Sequence, residues 1–312
     1  MIWGLVPKQA APTERDWYHD ADPARRREYD AFGPWIGIIG SEDDMPPRFQ
    51  HAYEELCVSA FLFKIPINAD RRAVRPGMDL YRAVLAVSGE RVVVLEWDGS
   101  RESRYESPLD KIQAVRIDQD LLPATLSFFL EDGRTVTLGY SSVSDKEIEQ
   151  VVSFLRERMN PSVASHRQIP VNLSERSEIN IGDSFYFFMS WKHVRRSPSI
   201  RILHWERPGV RLGGLKSSLG CLLLDDGSEL VIIHRGRFVR GWLDAVYSST
   251  ELYIPWSAIR SVELVQRPNR RKSSVSTVKI VVQGHAIMLE LFAPKIQQEH
   301  LVAEIGARAC SQ

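Results

Sequence analysis

Apolar residues along this chain fall mostly into short runs separated by Gly-, Asp- and Pro-containing turns. Such runs, partly alternating and rich in β-branched and aromatic residues, predict strands. In the first half they cover Leu56–Ile67, Leu80–Val87, Arg91–Trp97, Arg104–Ser107, Ile112–Asp118, Leu126–Leu130 and Thr135–Tyr140. In the second half they cover Phe185–His193, Ile200–Trp205, Gly220–Leu224, Glu229–His234, Glu251–Ile254, Ile259–Gln266, Thr277–Val282 and Ala286–Phe292. Each series gives way to helical spacing. Ile148, Val151, Val152, Leu155 and Met159 share one helical face behind the Ser144/Glu147 capping pair, and Glu149, Gln150, Arg156 and Glu157 fill the polar side. Leu301, Val302, Ile305 and Ala309 repeat that face behind Pro294, with Gln298 where the first stripe has Ile148.

The two series are copies of one plan. The segment Ser107-Pro108-Leu109-Asp110-Lys111-Ile112-Gln113-Ala114-Val115-Arg116-Ile117 is echoed by Ile254-Pro255-Trp256-Ser257-Ala258-Ile259-Arg260-Ser261-Val262-Glu263-Leu264. Self-similarity at a fixed spacing constrains the fold more strongly than any single motif. The strand-then-helix order excludes a parallel βαβ sheet, which needs alternation. The expected fold is mainly β (α+β): two sandwich or barrel modules, each of about seven antiparallel strands closed by a C-terminal α-helix. The expected division is an N-terminal arm (1–44), module 1 (45–160), a polar linker (161–178) and module 2 (179–312). The arm is Pro-punctuated and irregular apart from a short helix near Pro23–Phe32, where Asp22 can cap.

Composition bounds the function. The 312 residues carry 40 Lys+Arg and 40 Asp+Glu, a net charge of zero. Residues 1–160 hold a net −7 and residues 161–312 a net +7. Zero net charge, with no recognisable nucleic-acid-binding pattern, disfavours nucleic acid as a partner. Cys57, Cys221 and Cys310 are odd in number and far apart, as in a reduced, cytoplasmic protein without a disulfide frame or zinc motif. No run approaches the roughly 18 apolar residues of a membrane span.

Seven strands, a closing helix and an I-P-x-x-x-I-x-x-V segment resemble the pleckstrin-homology-like superfold, above all bacterial PH-like and GRAM-like domains. The resemblance rests on Pro108–Ile112 and Pro255–Ile259 with the strands before them, and covers about 45–160 and 179–310. It implies binding and scaffolding roles: many such domains bind proteins, and some bind phosphoinositides or other anionic lipids. Many bacterial members carry transmembrane helices beside the domain.

The residues themselves point the same way. The eight histidines form no HxH or HExxH pair, and there is no G-x-S-x-G, P-loop or GxGxxG. The chain is therefore expected to be a non-catalytic binding or scaffold protein that engages a protein partner or itself, with no cofactor and no metal. The alternative is peripheral contact with an anionic membrane through basic loops of module 2: Lys192, Arg195, Arg196 and Arg201 in one cluster, and Arg267, Arg270, Arg271 and Lys272 in another. The Lys/Arg-x-Arg spacing of eukaryotic phosphoinositide readers is missing there. An unrecognised enzyme is the third reading. The aromatic run Phe185-Tyr186-Phe187-Phe188 with Trp191 cannot turn wholly to one core in a strand of period two, so part of it meets another surface. Phe185, Phe187 and Trp191, with Trp3 and Trp17 of the arm, are the candidate interaction residues.

Overall fold

The computed structural model describes residues 18–160, 181–195, 200–207, 209–210, 217–218, 220–235, 248–266, 276–291 and 295–311. In chain order the first half holds α1 (Pro23–Ala31), β1 (Gly37–Ile38), α2 (Tyr53–Leu56), β2 (Phe61–Pro66), β3 (Tyr81–Val87), β4 (Arg91–Trp97), β5 (Glu102–Pro108), β6 (Ile112–Gln119), β7 (Pro123–Leu130), β8 (Thr135–Ser141) and α3 (Asp145–Met159). The second half holds α4 (Ser184–Val194), β9 (Arg201–Glu206), β10 (Gly209–Val210), β11 (Ser217–Ser218), β12 (Cys221–Asp225), β13 (Glu229–Arg235), β14 (Ser249–Pro255), β15 (Ile259–Gln266), β16 (Ser276–Val282), β17 (His285–Leu291) and α5 (Lys295–Cys310). The protein is mainly β, and the pairings between its strands are antiparallel.

The sheet orders are β1-β2-β3-β4-β5, β8-β7-β6-β14-β13-β12-β9 and β15-β16-β17, with β10 and β11 as a small pair. No barrel closes among the described residues, which corrects the barrel form of the expectation. The chain turns a corner at Pro108 and again at Pro255, each leading into a single 3₁₀ turn, Leu109–Lys111 or Trp256–Ala258. Proline lacks the N–H that would continue a ladder, so each corner passes the chain from one sheet to another instead of closing the first.

The chain packs as two compact units, Met1–Ala86 with Val94–Arg104, and Val87–Val93 with Tyr105–Gln312. In the first, Asp22 caps α1 by accepting the Ala24 N–H at 2.7 Å. Phe32, just beyond α1, is buried with Val74, Leu80 and Tyr81. The Arg71 guanidinium donates to the Phe32 carbonyl at 2.6 Å and lies over the Tyr29 ring. β1 pairs with β2, Gly37 facing Lys64 and Ile38 facing Phe63. The described part of the N-terminal arm packs within this unit, with its apolar residues Phe32, Ile36 and Ile39 buried. Leu56, expected to open a strand running to Ile67, instead ends the short helix Tyr53–Leu56, and the strand begins at Phe61.

In the second unit β12, β14 and most of β13 are buried on both faces; Cys221–Leu224 and Leu230–Ile233 accordingly read as unbroken apolar runs, whereas β14 also buries Ser249, Thr250 and Glu251. Leu223, Leu230, Ile232, Leu252 and Ile254 join Trp256, Val278, Ile280, Leu291, Leu301 and Ile305 in one core. The opposite face carries Glu229, Glu251 and Tyr253, which are met by side chains of α3 and α4.

Residues Phe185–His193 form a helix, not the expected strand. Asp183 Oδ1 accepts the N–H groups of Phe185 and Tyr186 at 3.0 and 3.3 Å, a cap that starts α4. Tyr186, Ser190, His193 and Val194 are buried, at helical spacing. The expected linker, 161–178, lies outside the described residues.

Candidate functional site

The two corners of the chain are held in the same way within the second unit. The Leu109 N–H donates to the Glu90 carbonyl at 2.8 Å, and the Trp256 N–H donates to the Ser228 carbonyl at 3.1 Å. Each corner therefore rests on the turn of the hairpin before it. Arg158 of α3 stands about 4 Å from where a Gly89 Cβ would be, and Arg308 of α5 donates to the Gly227 carbonyl at 2.6 Å.

The halves are joined edge to edge. β6 pairs with β14 from Ser249↔Gln119 to Tyr253↔Val115. Thr250 Oγ1 donates to Asp118 Oδ1 at 2.6 Å across the joint. Farther along, Gln283 Nε2 donates to Glu131 Oε1 at 2.5 Å, and the His285 Nε2–Leu130 carbonyl distance is 2.8 Å. The hairpin turns after β7 and β16 touch at their glycines: a Cβ on Gly284 would meet the Gly133 nitrogen at 2.6 Å.

A buried charge network locks this joint. Arg156 of α3, only 5% exposed, donates from Nε to Glu229 Oε1 at 2.5 Å and from Nη2 to Asp226 Oδ2 at 3.0 Å. Its guanidinium lies 4.4 Å from the Tyr253 ring centroid. Tyr253 Oη donates to Glu251 Oε2 at 2.7 Å, and Glu251 also meets His193 Nε2 and Lys192 Nζ, each at 2.9 Å. Burial drives the Glu229 carboxyl up to about 7 despite Arg156. Burial also pushes Glu251 upward, but its bonds from His193, Lys192 and Tyr253 outweigh that and hold it below the usual carboxylate range. Burial lowers His193, so the neutral ring donates to an ionised Glu251. Arg156, expected on the solvated side of its helix, is thus a core residue. The sequence signal was Glu229 and Glu251 inside apolar strand runs, since a buried carboxylate needs a partner.

The sequence-predicted anion-binding residues do not gather into a described cluster. Lys192 is held between Glu149 at 2.7 Å and Glu251 at 2.9 Å. Arg201 pairs with Asp225 and Glu304, at 3.2 and 3.3 Å. Arg195 is exposed at the end of α4. Arg196, Arg267, Arg270, Arg271 and Lys272 lie outside the described residues, as do Trp3 and Trp17. Of the aromatic candidates on α4, Phe185 is half-buried beneath the Arg235 guanidinium, Trp191 is half-buried, and Phe187 is exposed beside the more exposed Phe188. A cleft of about 440 Å³ opens beside the first corner, lined by Glu106, Pro108, Lys111, Glu131, Arg134 and Gln283. Its Lys111 and Glu131 neutralise each other at 2.6 Å.

One group among the described residues has metal-ligating chemistry. His204 and Glu206 of β9 and Cys221 of β12 place one donor atom each within 4.8 Å of the others. No contiguous motif announces it; the signal is H-x-E on one strand with a cysteine on its neighbour. Among the described residues no helix is long and apolar enough to cross a membrane. Comparison of the chain with protein-family models and with curated proteins finds no match.

Proposed function

We propose that this protein is a non-catalytic scaffold of two pleckstrin-homology-like modules that assembles with further copies of itself edge to edge. The PH-like reading is supported by the repeated order of strands, corner, three-stranded meander and helix. β5, its corner and β6 have lengths 7, 3 and 8, as do β14, its corner and β15. The second copy starts 147 residues after the first, from Glu102 to Ser249.

The observation that carries the assembly reading is the joint itself. β6 of one copy of the plan pairs with β14 of the other. Among the described residues their counterparts, β15 and β5, are each the last strand of a sheet. An interface between non-equivalent surfaces leaves one of each kind unused, and a second chain can use them the same way. Transferring the register of the internal joint sets Glu102 opposite Gln266, Tyr105 opposite Glu263 and Glu106 opposite Val262. No like charges then stand directly opposite. The joint's equivalent turns touch at Gly133 and Gly284, so the operation relating the halves translates by only a few Å. It is mostly rotation, and its repetition gives a ring or shallow coil.

The test uses the full chain with Cys57 and Cys310 changed to Ser. Tyr105→Cys and Glu263→Cys proteins, mixed and oxidised, should cross-link to each other more than to themselves. Light scattering over a concentration series should show a discrete oligomer. Ser103→Pro and Arg104→Pro complete the set. Backbone N–H groups alternate in direction along a strand, so one of the two prolines leaves the β4–β5 ladder whole and must still abolish assembly. A wild-type monomer at millimolar concentration, or assembly indifferent to both prolines, sinks the reading.

A further inference from the structure

We propose that His204, Glu206 and Cys221 form a binding site for a zinc-type dication, with three protein ligands and one open coordination position. The site is independent of the edge-to-edge assembly. His204 and Glu206 are two residues apart on β9, so both side chains leave the same face of the strand. Cys221 stands directly opposite Glu206 in the β9–β12 register, and Leu223 opposite His204. The three donors therefore converge because two paired strands hold them, not because a loop happens to fold over.

The distances fit. Ligand atoms around a tetrahedral zinc, at 2.0–2.3 Å from the metal, lie roughly 3.3–3.6 Å from one another. His204 Nε2 is 3.8 Å from the Glu206 carboxylate, too long for a hydrogen bond and close to that spacing. All three donors fall within 4.8 Å, so small side-chain rotations bring them onto one ion. A second observation points to an occupant: His204 Nε2 is buried and has no hydrogen-bond partner. That is an uncompensated desolvation cost which a bound cation removes. Cys221 is a free thiol at the border of the apolar core, 2% exposed.

The donor set selects the metal class. Thiolate with imidazole and one carboxylate is too soft for magnesium or calcium and suits zinc or cobalt. Three protein ligands leave the fourth position to water or to a donor from a partner.

Cobalt(II) is the probe, added to the full chain with Cys57 and Cys310, both exposed, changed to Ser. One equivalent should bind, giving tetrahedral visible bands and a thiolate-to-cobalt charge-transfer band in the near ultraviolet, both displaced by zinc. Cys221→Ser should abolish the charge-transfer band. His204→Ala should weaken binding by about 100-fold or more, since even supporting residues around metal ligands cost 10–100-fold. Glu206→Gln keeps the size and polarity of the side chain, tests the third ligand, and should weaken binding at least about tenfold. A cobalt spectrum without the charge-transfer band, or with the band surviving in folded Cys221→Ser protein, overturns the site. Unchanged affinity in both His204→Ala and Glu206→Gln overturns it equally.

Discussion

Replacing Arg156 by Met isolates the charge network that joins the halves. The change keeps a long apolar stem and removes the guanidinium. Glu229 and Asp226, whose side chains are 1% and 3% exposed, are then buried without their cation. Removing one partner of a buried ion pair costs about 3–5 kcal/mol. Loss of the desolvated contact with the Tyr253 ring adds up to about 2 kcal/mol. At about 2–4 °C per kcal/mol for a unit of this size, the melting transition should fall by about 10–20 °C. The deficit should depend on pH. Burial already raises Glu229 to about 7 with Arg156 beside it, and without Arg156 it rises further. In the variant the folded state then binds a proton that the unfolded state has released. Stability falls as pH rises through that window, by at most about 1.4 kcal/mol per pH unit for one carboxylate. Thermal melts from pH 5.5 to 8.5 read both effects. Arg156→Met combined with Asp226→Asn and Glu229→Gln should recover most of the loss, because neither carboxylate that lost its cation stays charged. A single variant within about 1 kcal/mol of the parent, or a deficit flat in pH, would refute the account.

Two further outcomes follow from named contacts. Gly284 has φ +77° and backbone atoms of Glu131 and Gly133 within 3 Å of any Cβ, whereas Gly99, at φ +99°, has open space. Gly99→Ala should therefore cost about 1 kcal/mol from the left-handed backbone alone, and Gly284→Ala clearly more, as read by denaturant midpoints; equal costs would mean the turn contact contributes nothing. Acid should also weaken the fold through His193 and Glu251, both held below their usual values in the native state. A depressed group stabilises above its unfolded pKa and loses that stability as pH falls, so melting temperature should drop below about pH 6.5 for His193 and again below about pH 4.3 for Glu251. His193→Gln keeps a donor to Glu251 and should flatten the first of these steps; an unaltered profile would show that His193 does not titrate with folding.

Strands such as Tyr81–Val87, Arg91–Trp97 and Ile259–Gln266 were legible because local alternation and turn residues decide them. So were the helices of Asp145–Met159 and Lys295–Cys310, whose apolar stripes stand at helical spacing. Phe185–His193 was misread for a physical reason. Aromatic residues favour strands locally, but the Asp183 cap and the burial of Tyr186, Ser190, His193 and Val194 favour a helix. Arg156 was misread because a helical wheel assigns charge to solvent unless the far side is known to hold buried carboxylates. His204 and Glu206 stood out along their strand but read as structural, because strand pairing, not spacing along the chain, brings Cys221 opposite Glu206.

The sequence by itself determined that this is a mainly β chain with helices at Asp145–Met159 and Lys295–Cys310, since turn residues and hydrophobic periodicity act over a few neighbouring residues. Tertiary structure alone decided that β6 and β14 share one sheet, which edges remain, and which charges are buried together. Those outcomes depend on edges and faces that meet across 73 residues of chain at Arg156–Glu229 and more than 100 at the β6–β14 pairing, where no local rule reaches.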